Sequence, residues 1–349
     1  MSWSKILGHA ERIDAFRQIV ARHRLAHGYL FVGPSGIGKR LFAVELAKAL
    51  LCESPHSQPL SQGQREAKAL DACDQCEACL LVDAGTHPDL FIVSRPEERN
   101  EMPAEVMKTL CHDFGFKPAR SHGKVGIIDD ADDFNDESAN CFLKTLEEPP
   151  PGSLFILLGT SLDRQLATIK SRCQMVRFAP LADEHVRQVL RQQGQTDAGL
   201  IERLIRLAAG SPGQALALAD ESLWQFRRTL LQGLAQPKVE SVTLGRQLVE
   251  FAEEAGKETS LQRRRASQML RLLIESLADL IRLQAGLPAR SAEPAELPLL
   301  ASLAQRFDHD KIEALLERCL ETETHLGRYL QLSLVLEGLL DALGQLVDS

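Results

Sequence analysis

The sequence has no excess of positive charge. Its 40 Lys and Arg residues are outnumbered by 48 Asp and Glu, which leaves a formal net charge of −8. A protein that grips nucleic acid unaided needs a basic footprint to displace counterions from phosphates. A free-standing nucleic-acid-binding protein, with or without zinc, is therefore disfavoured, and any DNA contact is expected to be local or made in the company of other subunits. Long hydrophobic runs are also missing. No stretch approaches a membrane span, and Met1–Ala10 has no apolar core of signal-peptide length. The expectation is a cytoplasmic protein with no membrane partner. In that compartment the eight cysteines are expected as metal ligands or buried thiols rather than disulfides. A chain of 349 residues is too long for one ordinary core and points to two or three domains.

One absent hydroxyl matters more than these. Gly33-Pro34-Ser35-Gly36-Ile37-Gly38-Lys39-Arg40 follows the apolar run Tyr29-Leu30-Phe31-Val32 and precedes a helical pattern from Leu41 to Leu51. Strand, glycine turn and helix is the setting in which Gly-x-x-x-x-Gly-Lys cradles phosphates. Backbone N–H groups turn inward, the helix N-terminus adds partial positive charge, and the lysine reaches the outer phosphates. The next residue should be Ser or Thr, whose hydroxyl holds magnesium. Here it is Arg40. Gly33, Gly36, Gly38 and Lys39 thus keep the shape of an ATP or ADP site while its metal-holding hydroxyl is gone. The plain alternative is a glycine-rich strand-to-helix turn.

Cys73, Cys76 and Cys79 recur every three residues, and Cys52 ends the helix before a polar stretch from Glu53 to Ala69 that has the character of an insertion. Four thiolates can close around one tetrahedral zinc with no open coordination position, which makes the metal structural. An iron–sulfur cluster and free thiols are the rivals, although the Cys-Pro that commonly continues the cluster motif is absent. The remaining Cys111, Cys141, Cys173 and Cys319 are expected as small buried hydrophobes.

Beyond the cysteines the pattern alternates. Asp89–Val93, Lys124–Ile128, Leu154–Gly159 and Gln174–Phe178 have the character of strands, and Ala104–Phe114 and Glu137–Leu146 of helices. With Tyr29–Val32 this makes five short apolar strands separated by helices, hence a parallel α/β sheet with its chemistry at the strand C-terminal ends. The third strand runs into Asp129-Asp130. An acid in that place would hold magnesium beside the phosphate loop, and a second acid, usually Glu, would polarise water. A charged turn is the other reading. The segment Ser171-Arg172-Cys173 presents an arginine just before the last strand, at the edge of the domain. There its fixed charge and planar fork would reach a nucleotide on an adjacent subunit, unless it is an ordinary surface arginine.

Taken together, His27-Gly-Tyr-Leu-Phe, the cysteines at 52 and 73–79, Thr86-His87-Pro88-Asp89, Asn140 to Pro150 and Ser171-Arg172-Cys173 resemble the delta-prime family of bacterial DNA polymerase III clamp-loader subunits. The resemblance runs from about Ile6 to Asp220 and is architectural beyond. It implies an AAA+ fold: an α/β core over 1–180 with a zinc module at 52–79, a small helical lid over 181–222, and an all-α collar over 223–349 that builds the ring. It further implies that Arg172, with Ser171 and Cys173, acts in trans on ATP held by a tau/gamma neighbour. The partners implied are tau/gamma and delta in a hetero-pentameric ring, and through the complex the sliding clamp and primer-template DNA of the polymerase holoenzyme.

The departures choose among relatives. An active tau/gamma-like ATPase, the alternative reading, carries Lys-Thr in the phosphate loop, Asp-Glu after the third strand and an arginine in the lid. Here these places hold Lys39-Arg40, Asp129-Asp130 and Gly213. Losing one transition-state contact commonly costs on the order of 3 kcal/mol, about a hundredfold in rate, so little intrinsic ATPase is expected. The rest of the chain is helical in pattern. Val186, Val189 and Leu190, then Leu200, Leu204 and Leu207 fit short lid helices. Met269, Leu273, Leu277 and Leu280 mark a longer helix, and Leu332, Leu336, Leu339, Leu343 and Leu346 the last one. A loop is expected from Gly286 to Pro298, and Arg263-Arg264-Arg265 is expected as a solvated helix surface.

Overall fold

The computed structural model describes residues 2–54, 70–96, 99, 101–120, 123–328 and 330–348. Most of the polar stretch expected as an insertion lies outside them.

In chain order the elements are α1 (Ala10–Ala21), β1 (Gly28–Val32), α2 (Lys39–Leu51), α3 (Glu77–Asp83), β2 (Leu90–Val93), α4 (Ala104–Phe114), β3 (Lys124–Ile128), α5 (Asp136–Glu147), β4 (Ser153–Gly159), α6 (Ala167–Lys170) and β5 (Gln174–Arg177). Helices follow to the end: α7 (Asp183–Gln192), α8 (Ala198–Ala208), α9 (Pro212–Ala217), α10 (Glu221–Leu234), α11 (Ser241–Glu253), α12 (Thr259–Gln284), α13 (Leu297–Arg306), α14 (His309–Gly327) and α15 (Leu332–Asp348). The chain forms two compact units, Met1–Gln188 with Gly210–Gly213, and Val189–Ala209 with Gln214–Ser349.

The first unit is built on five parallel strands in the spatial order β2-β3-β4-β1-β5. Leu30 of β1 stands between Leu157 of β4 and Met175 of β5. Every residue of β1 and β3 is buried, as strands covered by helices on both faces must be. Met107, Leu110 and Phe114 of α4 and Phe142 and Leu146 of α5 pack with Leu30, Ile128, Phe155 and Leu157 in one core. Phe16 of α1, Phe42 of α2 and Phe178 form an aromatic cluster with Tyr29 and Phe31. Parallel crossovers leave all strand C-termini on one edge, so the loops after β1 and β3 meet there. α5 starts on a reciprocal cap, with Ser138 N donating to Asn135 Oδ1 at 2.9 Å and Asn135 N to Ser138 Oγ at 3.1 Å. Its end falls just before Pro149 and Pro150, which cannot continue a helix.

The second unit is wholly helical, and its interior holds charge. Arg227 is fully buried, with Nη2 on Glu296, and Nη1 on Ser291 Oγ at 3.2 Å and Ser276 Oγ at 3.4 Å. Trp224 lies between two guanidinium groups, Arg203 at 4.5 Å and Arg227 at 4.9 Å from its ring centre. Burial works against the Glu296 carboxylate, but Arg227 outweighs it and holds the group below the usual carboxylate range.

Three expectations are corrected. Arg263 and Arg265 are half-buried rather than solvated: Arg265 stacks on Phe251 at 4.1 Å and bonds Ser222, while Arg263 donates to the Leu326 and Leu330 carbonyls. Long arginine stems cover apolar surface well, which is what a helix flank offers them. Of the four scattered cysteines only Cys319 is fully buried, and Cys111, Cys141 and Cys173 lie at the margin of the α/β core. The loop after Gly286 ends earlier than Pro298, because proline fits the first turn of α13.

Candidate functional site

The phosphate loop follows β1, which lies between β4 and the edge strand β5. Gly38 caps α2 in the left-handed region (φ +94°), which a side chain would resist. Each carbonyl from residue 33 to 37 has a donor. Lys39 Nζ turns back onto Gly33 O at 2.6 Å and Pro34 O at 2.8 Å. Ser211 Oγ reaches Ser35 O at 2.7 Å, Gly213 N reaches Gly36 O at 2.9 Å, and His9 Nε2 reaches Ile37 O at 2.9 Å. Burial lowers the Lys39 pKa, opposed by the charges of Asp129 and Asp132. A β-carbon built on Gly213 would lie 2.7 Å from Gly36 Cα, so this turn packs backbone on backbone against the loop.

The acids after β3 lie beside it. Arg40 Nη1 stands 3.4 Å from Asp129 Oδ2. Asp130 adopts a left-handed backbone (φ +55°), and its pKa is raised by burial and then by Asp129. Asp132 is tied to Thr160, accepting from its N at 2.8 Å and its Oγ1 at 2.6 Å. Sequence reasoning missed His9 and Ser211; neither carries a motif of its own, and only the chain's return to the loop gives them a role.

Cys52, Cys73, Cys76 and Cys79 converge, their sulfurs all within 4.8 Å of one another. Cys52 and Cys76 are 3.8 Å apart, and Cys73 and Cys79 are 3.9 Å apart. Burial disfavours the Cys73 thiolate, yet backbone N–H groups of Gln75 and Cys76 and the neighbouring thiols outweigh it and bring its pKa to about 7. The group is a candidate metal centre. Lys48, completely buried at the end of α2, fastens this region by ion pairs to Asp74 at 2.6 Å and Asp83 at 2.7 Å. Asp89, the acid of the Thr86–Asp89 motif, is buried and accepts from Ala119 N at 2.7 Å and Arg120 N at 2.8 Å. Arg120 in turn bridges Glu53 and Glu77.

Arg172 follows the single turn of α6. Its Nε donates to Glu147 Oε1 at 2.8 Å and its Nη2 to the same oxygen. Its Nη1 donates to Thr168 O at 3.0 Å and Ser171 Oγ at 3.1 Å. Ser171 and Cys173 flank it, and burial pushes the Cys173 thiol up to about 12. Glu147 lay within a stretch singled out in the sequence, but nothing there paired it with Arg172.

A five-stranded parallel α/β sheet in the order β2-β3-β4-β1-β5 with a phosphate loop after β1, a four-cysteine insertion and a helical C-terminal half define an AAA+ module with an appended all-α region. The family described as "DNA polymerase III, delta subunit" matches residues 8–182. DNA polymerase III subunit delta' of Escherichia coli is 30% identical over 86% of this chain and 84% of its own length. The delta' subunit of Pseudomonas aeruginosa is 34% identical over 62% of this chain and 63% of its own. The chain belongs to the delta-prime family of DNA polymerase III subunits. The tau subunit of E. coli is 28% identical over 64% of this chain. A gamma subunit-related protein of Thermotoga maritima superposes over 96% of the chain at 16% identity with a TM-score of 0.45. Among the described residues no helix is long and apolar enough to cross a membrane.

Proposed function

We propose that this chain is the largely non-hydrolysing stator of a clamp loader. In this reading it takes its place in a hetero-pentameric ring with tau/gamma and delta subunits. Arg172, flanked by Ser171 and Cys173, is lent to ATP on a tau/gamma neighbour, and the complex loads the sliding clamp on primer-template DNA in the cytoplasm. The core at 1–180 carries the loop and the arginine, 181–222 serves as the lid, and 223–349 as the collar.

The observation that carries the reading is Arg40 against Asp129 at 3.4 Å. The donor set does not suit magnesium. The hydroxyl is missing, and a guanidinium stands beside the carboxylate that would bind the ion. Asp130 is one methylene shorter than the usual Glu, and Gly213 supplies no charge to a terminal phosphate. Any ATP or ADP in the loop would rest on Lys39 and the backbone alone.

The cysteine group suits zinc. Tetrahedral zinc with Zn–S bonds of about 2.3 Å sets its sulfurs about 3.8 Å apart, close to the 3.8 and 3.9 Å found for two of the pairs. All four positions would be filled by cysteine, so the metal would hold the fold and leave the phosphate chemistry to other residues.

The purified chain is expected to hydrolyse ATP at background rate, with or without primed DNA. DNA-stimulated turnover that Lys39→Ala abolishes would replace the stator with a working ATPase.

A further inference from the structure

Arg172 is not waiting bare. Every nitrogen of its guanidinium has a partner within the chain. The partners divide by edge. Nη1 is held by Thr168 O and Ser171 Oγ, groups of its own turn. The Nε and Nη2 edge is taken by one carboxylate oxygen of Glu147, the last residue of α5. That edge presents two parallel N–H groups, a geometry with which arginine grips an oxyanion. The pair is also accessible, with the Arg172 side chain 32% exposed and that of Glu147 50%. An ion pair so wetted is weak and exchangeable. A phosphate carries more charge and more acceptor oxygens, and competes well for the same edge.

We propose that Glu147 is a stand-in anion for Arg172. It keeps the guanidinium ordered and charge-satisfied until the terminal phosphate of a nucleoside triphosphate on an adjacent subunit takes its place. Glu147 is in this sense a positioning residue, since it acts through Arg172. The anchors on Nη1 hold the arginine's direction during the exchange. Its release is therefore a swap of one anion for another rather than a search through rotamers. This rests on the reading of Arg172 as the trans-acting arginine.

The test is Glu147→Gln in the reconstituted loader, with the phosphate-loop lysine of every subunit other than the adjacent one replaced. Glutamine keeps an acceptor oxygen of the same size and removes the competing charge. The expected result is a KM for ATP lowered about two- to fivefold, the range set by a partly exposed ion pair, at unchanged kcat. The same substitution in an Arg172→Ala loader should change nothing. An unchanged or raised KM for Glu147→Gln, in a loader that Arg172→Ala does impair, overturns the stand-in and leaves the trans arginine intact. Undiminished turnover with Arg172→Ala overturns both. A thermal unfolding curve of the Glu147→Gln chain that superposes on the wild type is required, and a lowered midpoint alongside a changed KM would assign the effect to the end of α5 instead.

Discussion

Two single residues carry the proposal that the loop after β1 does not hydrolyse nucleotide. Arg40 puts a cation beside Asp129, and Gly213 brings backbone against Gly36. The second is the harder to reverse. A β-carbon at 213 would fall 2.7 Å from Gly36 Cα and 3.1 Å from Gly36 O, both backbone atoms that cannot swing aside. Gly213→Arg is therefore expected to destabilise the first unit by about 1–3 kcal/mol, as overpacking does, and to leave ATPase at background. Calorimetry and a turnover assay on the same preparation check this. An unshifted midpoint with restored hydrolysis would mean that the charge alone was missing.

At the scale of elements, α2 is tied to the cysteine group at its C-terminal end. Cys52 caps the helix, and Lys48 one turn earlier carries Asp74 and Asp83. A metal there would fix the returning chain to the helix that begins at the phosphate loop, with folding and metal binding coupled. Cys76→Ser, or chelation of the wild type, is expected to remove bound zinc and raise amide exchange over 70–83, while β1 and β4 keep their protection. Elemental analysis and hydrogen exchange measure the two effects. Iron, or no metal in the wild type, would discard the zinc centre. The elements themselves were legible in the sequence: α4 and β3 fall at the expected residues, and the remaining strands within one residue at either end. The runs of β1, β3 and β4 are short, apolar and bounded by glycine or acid, which is what a strand covered on both faces requires, whereas β2 and β5 at the sheet edges are more exposed. α3 was not legible, because its seven residues overlap the cysteine run at Cys79 and have no room for a second helical period.

Across the whole molecule, stability resides in two cores, both mainly apolar and both with buried charge. The α/β unit is held by aliphatic and aromatic packing. The helical unit contains the fully buried pair Arg227 and Glu296. Removing one partner strands a buried charge, so Arg227→Met is expected to cost about 3–5 kcal/mol in chemical unfolding. Arg227→Met with Glu296→Leu should recover much of that loss, and strictly additive costs would show that the pair is not coupled. Hydrogen exchange is expected to place the loss in residues 214–349 and spare the sheet.

What the sequence determined by itself was the repertoire: a parallel sheet, a phosphate loop without its hydroxyl, four cysteines at metal spacing and an arginine before the last strand. These follow from periodicity and from residue types whose chemistry is local. Pairing was decided only by the tertiary structure. Glu147 meets Arg172 across 25 residues, Arg40 meets Asp129 across 89, and Gly213 closes on Gly36. Each of these contacts depends on the crossovers of the sheet or on the chain's return to the loop, and no local pattern encodes which side chains those movements bring together.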